Sequence, residues 1–127
     1  MNSIKPPSIS AIIPCFNHWE SLHTAVESIK KQSISVTETV IIDDGSFEPC
    51  PLEELIEDSK IRIIRLDENR GRGYCRNLAF KETSGEYVLN LDATNSLEEC
   101  FIEKALPHFL DSQIAAVSGA LISKKKD

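Results

Sequence analysis

The chain has 127 residues, one domain's worth, with 41% hydrophobic and 27% charged residues, ordinary values for a soluble fold that buries a core without disulfide or metal staples. Its formal net charge is −6, with 20 acidic against 14 basic side chains, which argues against bulk DNA or RNA binding but leaves room for a small anionic ligand at a local basic cluster. The apolar runs fall far short of the ~18–20 residues of a membrane span, and the polar stretch Met1 to Pro7 is followed by no secretory h-region, so membrane-spanning, collagen-like, coiled-coil and disordered classes are set aside.

Residues 1–7 read as a tail and 8–119 as the core. Ile9 to Ile13 reads as a buried strand, broken by Pro14-Cys15-Phe16-Asn17. Asn17 is a good helix N-cap, with Glu20 at the capping-box position. Leu22, Ala25, Val26 and Ile29 recur at helical spacing, so a helix is expected from about His18 to Gln32. Thr39 to Ile42 reads as a second strand, ended by Asp43-Asp44-Gly45-Ser46. Phe47 to Pro51 is loop, and Leu52, Leu55 and Ile56 suggest a short helix. Ile61 to Leu66 is a third strand whose Arg62 and Arg65 suit an edge position. A polar loop, Asp67 to Gly73, leads to a helix over Tyr74 to Thr83 with Leu78 and Ala79 inward. Gly85 fits the left-handed position after that helix. Tyr87 to Leu91 looks like a central strand, and Asp92 to Asn95 a turn. Ser96 and Glu99 form a capping box for a helix carrying Leu97, Phe101, Ala105 and Leu106, which Pro107 ends or kinks. Ile114 to Val117 reads as a fifth strand, and residues 120–127, with Lys124-Lys125-Lys126, as a solvated basic tail.

Strands alternating with helices imply βαβ units and a mainly parallel sheet, order 3-2-1-4, with helices on both faces. Such α/β sheets bind ligands outside the carboxyl ends of their strands. Four places follow from that rule: Pro14–Asn17, Asp43–Ser46, Asp67–Gly73 and Asp92–Asn95.

Each has a plain reading beside a chemical one. Asp43 and Asp44 can close a turn by accepting local N–H groups, or accept donors from a ligand or metal. Arg70, Arg72 and Arg76 crowd a glycine-bearing helix start, where guanidinium forks and helix amides suit phosphate; solvated loop charge is the alternative. Asp92, Thr94 and Asn95 carry oxygens of the kind a hard cation accepts, but with one carboxylate the site is weak. Cys15, Cys50, Cys75 and Cys100 contain no C-x-x-C pair and form neither a zinc nor a disulfide framework. Three of them sit in apolar element positions and read as small core hydrophobes, and a reducing cytoplasm is the expected setting. His18, His23 and His108 form no constellation and read as structural or surface groups.

Taken together, Ile9–Asn17, Asp43–Ser46, Asn69–Asn77, Gly85-Glu86-Tyr87 and Leu91-Asp92-Ala93 occur in the order and spacing of family 2 glycosyltransferases, and residues 8–119 resemble the nucleotide-binding half of that GT-A fold. The resemblance implies a Rossmann-like domain holding a nucleotide-diphosphate sugar, most often a UDP-sugar, for inverting transfer to an acceptor hydroxyl of a glycan, lipid or protein. Pro14, Phe16 and Asn17 would contact the nucleotide, with Pro14 and Phe16 against the base. Asp44, with Asp43, would accept from the uracil. Arg76 matches the arginine that helps hold the nucleotide, and Asp92 the first aspartate of an Asp-x-Asp motif that touches ribose and metal. The family commonly continues Asp-Ala-Asp-Asp; here it is Asp92-Ala93-Thr94-Asn95. Thr94 replaces the usual direct ligand, so Mn²⁺ or Mg²⁺ is implied only through Asp92, with Thr94 and Asn95 as poor substitutes. The general base belongs to an acceptor-binding half that these residues do not supply, so a truncated domain, inactive alone, is expected. Two other readings compete. A non-catalytic nucleotide-binding or regulatory module would fit Thr94 and the missing base. A phosphoreceiver would need its acid pair after the first strand, whereas Asp43-Asp44 follows the second.

Overall fold

A computed structural model describes residues 5–120. The strands are β1 (Ile9–Cys15), β2 (Glu38–Asp43), β3 (Ile61–Arg65) and β4 (Tyr87–Asn90). The helices are α1 (Trp19–Lys30), α2 (Glu53–Ile56), α3 (Arg72–Lys81) and α4 (Phe101–Ala105), the last running into a 3₁₀ turn over Leu106–Leu110. All strand pairs are parallel and the order is β3-β2-β1-β4, as the sequence implies.

Strand β1 is buried because it has a neighbour on each side and a helix on each face. Alternation sends Ala11, Ile13 and Cys15 toward α1, whose Leu22, Ala25, Val26 and Ile29 form the matching apolar stripe. Ile12, Val40 and Ile42 face the other way, onto Cys75 and Ala79 of α3. A fully buried side chain such as Ile41 gives about 1.5–3 kcal/mol of transfer free energy. The edge position of β3 agrees with its half-exposed pattern, in which Arg62 points out to pair with Glu82 at 2.8 Å.

Parallel strands place their carboxyl ends at one rim. Cys15 is the register partner of Asp43, and Asp43 of Arg65. Backbone bonds from Asp44 N–H to Cys15 O (2.8 Å) and from Leu91 N–H to Ile12 O (3.1 Å) extend the ladders to that rim.

Several expectations are corrected. Asn17 does not cap α1; it sits at φ 59°, and its side chain accepts from Phe47 N–H at 2.9 Å. His18 takes the N-cap position without a side-chain cap bond, so no Asn17–Glu20 capping box forms. Helix α3 starts two residues earlier than expected, at Arg72, because Gly71 at φ 91° makes the turn into it. Gly85 is not left-handed. It is needed for close approach, since a Cβ there would lie 2.6 Å from Ser10 Oγ, the acceptor of the Gly85 N–H. Ser96 and Glu99 do not start a helix. Buried Gln32 holds that segment instead, donating to Glu98 O at 2.6 Å and accepting from Ile102 N–H at 3.0 Å, and α4 begins at Phe101.

Ile114 to Val117 forms no strand. A turn closed by Ile114 N–H on Asp111 O (3.0 Å) precedes it, Ala115 and Ala116 are exposed, and the run finds no ladder partner among the described residues. The described sheet therefore has four strands, and β4 is an edge strand rather than a central one. Cys15 and Cys75 are core residues, whereas Cys50 and Cys100 are half-buried. The Lys124–Lys126 run lies outside the described residues.

Candidate functional site

The four strand-end segments surround one cleft of about 300 Å³. The end of β1 and the turn after it contribute Pro14, Cys15, Phe16 and His18; the end of β2 contributes Asp44. Asn69, Gly71 and Arg72 face them from the β3–α3 loop and the first turn of α3. Asp92, Ala93 and Thr94 close the side after β4.

The two adjacent aspartates separate. Asp43 is fully buried; its Oδ1 accepts from Ser46 N–H at 2.9 Å and its Oδ2 from Arg65 Nη1 at 2.8 Å. Arg65 also donates to Ser46 O at 2.9 Å, so Asp43 and Arg65 lock the turn below the cleft. Asp44 turns into the cleft. Its Oδ1 accepts from Arg70 N–H at 2.6 Å and its Oδ2 from Gly71 N–H at 3.0 Å, tying the β3–α3 loop to the end of β2. Gly45 permits this approach: at φ 73° it passes so close to the Glu68–Asn69 backbone that a Cβ would lie 2.5 Å from Glu68 C.

Under the cleft floor, burial first and then the Asp44 carboxylate push the Cys75 thiol up to about 12. Burial likewise pushes Cys15 to about 11, partly offset by the His18 N–H. Both thiols stay protonated at neutral pH and are poor nucleophiles.

Phe16 lies at the cleft mouth, 37% exposed, tilted against Phe47 with ring centroids 6.1 Å apart. Asn17 does not line the cleft; its backbone N–H donates to Ser46 Oγ at 2.9 Å and braces the loop carrying Phe16. On the opposite side Arg72 and Arg76 lie four residues apart, one turn of α3, and share one face. Both reach Asp92: Arg76 Nη2 donates to Oδ1 at 2.8 Å, and Arg72 Nη1 is 3.9 Å from Oδ2. Arg70 points elsewhere, toward Glu68 at 3.3 Å and over the Tyr74 ring at 5.3 Å. Thr94 offers an exposed hydroxyl to the cleft, while Asn95 N–H closes the turn on Asp92 O at 3.0 Å.

Among the described residues no three His, Cys, Asp or Glu side chains lie together in a metal-ligand arrangement. The donor set at Asp92 is one carboxylate already paired with a guanidinium, beside a neutral hydroxyl. It is no all-protein cage for Mn²⁺ or Mg²⁺.

Sequence reasoning passed over His18, Asn69 and Gly71 as cleft residues, although the strand-end rule points to their segments. Nothing in the spacing of His18 marks it, since only the fold turns it into the cleft. Arg65 was legible only as an edge residue; its register opposite Asp43 pairs them.

A family model described as "Glycosyl transferase family 2" matches residues 10–127. The succinoglycan biosynthesis protein ExoO of Rhizobium meliloti is 31% identical over 94 residues, 73% of this chain and 27% of that protein. An N-acetylglucosaminyltransferase of Bradyrhizobium elkanii is 28% identical over 95% of this chain and 70% of its own length. The crystal structure of residues 1–349 of S. aureus TarS, solved in complex with UDP, superposes with a TM-score of 0.71 at 24% identity, covering 92% of this chain and 38% of that one. The chain thus spans little more than a third of that structure and about a quarter of ExoO.

Proposed function

The chain belongs to glycosyl transferase family 2, and from that premise we propose that its cleft holds the nucleotide end of a nucleotide-diphosphate sugar, a UDP-sugar, for inverting transfer to an acceptor hydroxyl. The observation that carries this reading is the gathering of all four strand ends around one cleft, with an aromatic ring and an acceptor carboxylate on one side and a guanidinium at a helix start on the other. The UDP complex of TarS, which shares this fold, supports the choice of nucleotide.

Each group has a chemical task. Phe16 and Pro14 present apolar surface to a base. Asp44 retains lone pairs to accept a uracil N–H beside the two loop amides it already binds. The first-turn amides of α3 and Arg72 face the leaving diphosphate, where preorganised donors stabilise developing charge. Asp92, steadied by Arg76, accepts from ribose hydroxyls. The acceptor is a glycan, lipid or protein hydroxyl. A reducing cytoplasm suits the four free thiols. One observation favours a binding-only module as the second reading: both cleft carboxylates, Asp44 and Asp92, already accept hydrogen bonds from this chain's own donors.

Calorimetric titration tests the reading. UDP should bind more tightly than ADP, because adenine offers a different edge to Asp44. Phe16→Ala should weaken UDP by ~1–3 kcal/mol, the range for losing one base–aromatic stack, with little change in melting temperature. Equal affinity for the two nucleotides would remove the uracil assignment.

A further inference from the structure

We infer that this cleft neutralises the diphosphate with guanidinium groups, Arg72 seconded by Arg76, and not with a bound divalent cation. This rests on the nucleotide reading above and specifies how its charge is met.

The electrostatics of Asp92 carry the inference. Two guanidiniums converge on one carboxylate: Arg76 at 2.8 Å and Arg72 at 3.9 Å. These three side chains sum to one positive charge, set against the Asp44 carboxylate that lines the same cleft, and the first-turn amides of α3 add to the positive side. A divalent cation entering beside Asp92 would meet two like charges and a carboxylate oxygen already in a short charge-assisted bond. Thr94 adds a dipole but no compensating charge. A diphosphate meets the opposite balance at the same place.

The two arginines are not equivalent. Arg76 is the anchor: its Nη2 holds Asp92, and its Nε is buried with no hydrogen-bond partner among the described residues. A buried donor left unsatisfied is uncommon and marks a side chain held in place against a local penalty. Arg72 is the exposed partner. Its side chain is 74% exposed, it lines the cleft, and its distance to Asp92 is too long for a hydrogen bond. Swinging from Asp92 to a phosphate sacrifices little, because an exposed pair at that distance contributes little. Arg72 thus lies beside Asp92 at the cleft without a bond that holds it there, and the diphosphate supplies one.

The test is calorimetry of UDP and UMP on the whole chain, in EDTA and in millimolar Mn²⁺, with the native sequence and with Arg72→Ala. The native chain should bind UDP in EDTA within about threefold of its affinity in Mn²⁺. Arg72→Ala should weaken UDP about tenfold or more, as for loss of a charge-assisted contact, and leave UMP within about threefold. UDP binding that weakens tenfold or more in EDTA while UMP binding persists overturns the inference and leaves the nucleotide reading standing. So does an unchanged UDP-to-UMP ratio in Arg72→Ala. Failure of both nucleotides to bind in either condition removes the nucleotide reading, and this inference with it. The EDTA comparison on the native chain decides the matter even if the variant folds poorly.

Discussion

Asp44→Asn separates the two tasks of the residue at the centre of the site. The residue is 4% exposed, and each of its carboxylate oxygens accepts one loop amide, Arg70 at 2.6 Å and Gly71 at 3.0 Å. Asparagine keeps the shape but replaces one acceptor with a donor. One loop N–H then faces an NH₂ group, at a cost of about 1–3 kcal/mol for an unsatisfied buried group, and the other keeps a neutral in place of a charged acceptor, a loss of about 1 kcal/mol. Both bonds are only partly buried, so water recovers some of this and the loss falls below the full sum, to about 1.5–3 kcal/mol. Near 4 °C per kcal/mol for a chain of this size, the melting temperature should fall by about 6–12 °C. UDP affinity should fall by about 1–3 kcal/mol and ADP affinity by less. The Cys75 thiol gives an independent readout. Its value of about 12 should drop with the charge removed, yet stay above the ordinary 9.0, because burial is the larger cause. Scanning calorimetry, titration of both nucleotides and thiol titration read the three effects. An unchanged melting temperature would show that Asp44 does not hold the loop; a large drop with an unchanged UDP-to-ADP ratio would refute its role toward the base.

Thr94→Asp adds a carboxylate to the cleft. Without metal it should weaken UDP binding through like-charge repulsion, and with millimolar Mn²⁺ it should strengthen it, because the ion can bridge carboxylate and diphosphate; equal weakening in both conditions would show that position 94 does not adjoin the diphosphate. Glu38→Gln should lower stability at neutral pH and flatten its acid limb. Glu38 Oε2 accepts from Ser84 N–H at 2.9 Å and Ser10 Oγ at 2.7 Å, and these bonds, the Ser84 N–H foremost, hold its carboxyl below the ordinary 4.5. A group whose folded value is lowered contributes stability above its unfolded value and loses it as pH falls through the folded one. Urea midpoints between pH 6 and pH 3 check this, and parallel curves for the two proteins would refute it.

What the sequence made legible was what local periodicity controls. The stripe Leu22, Ala25, Val26, Ile29 specified α1, and the charged outer residues of β3 put that strand at the edge. The strand-end rule then located the cleft without any knowledge of its contents. What stayed hidden were single polar side chains whose partners lie far along the chain. Gln32 reaches 66 and 70 residues ahead to Glu98 O and Ile102 N–H, and so overrides the local capping signal at Ser96. Asn17 reaches 30 residues to Phe47 and abandons its cap. No window-based pattern carries such pairings, because the competing local bond and the tertiary bond use the same atoms.

The Asp43-Asp44 pair shows how geometry resolves what composition leaves ambiguous. Successive side chains leaving a strand point to opposite sides, and the Asp44 N–H bond to Cys15 O keeps β2 extended through that position. Two adjacent carboxylates there cannot share one cleft. One must turn beneath the sheet rim, where a charge is tolerable only with a partner, and Arg65, its register partner on β3, supplies that partner at 2.8 Å. The other is left to the cleft and to the loop that covers it. Asp43 and Asp44 therefore have unlike tasks by construction. Exchanging the acid at 43 should be felt in the turn and in Arg65, and exchanging it at 44 in the loop and in the nucleotide.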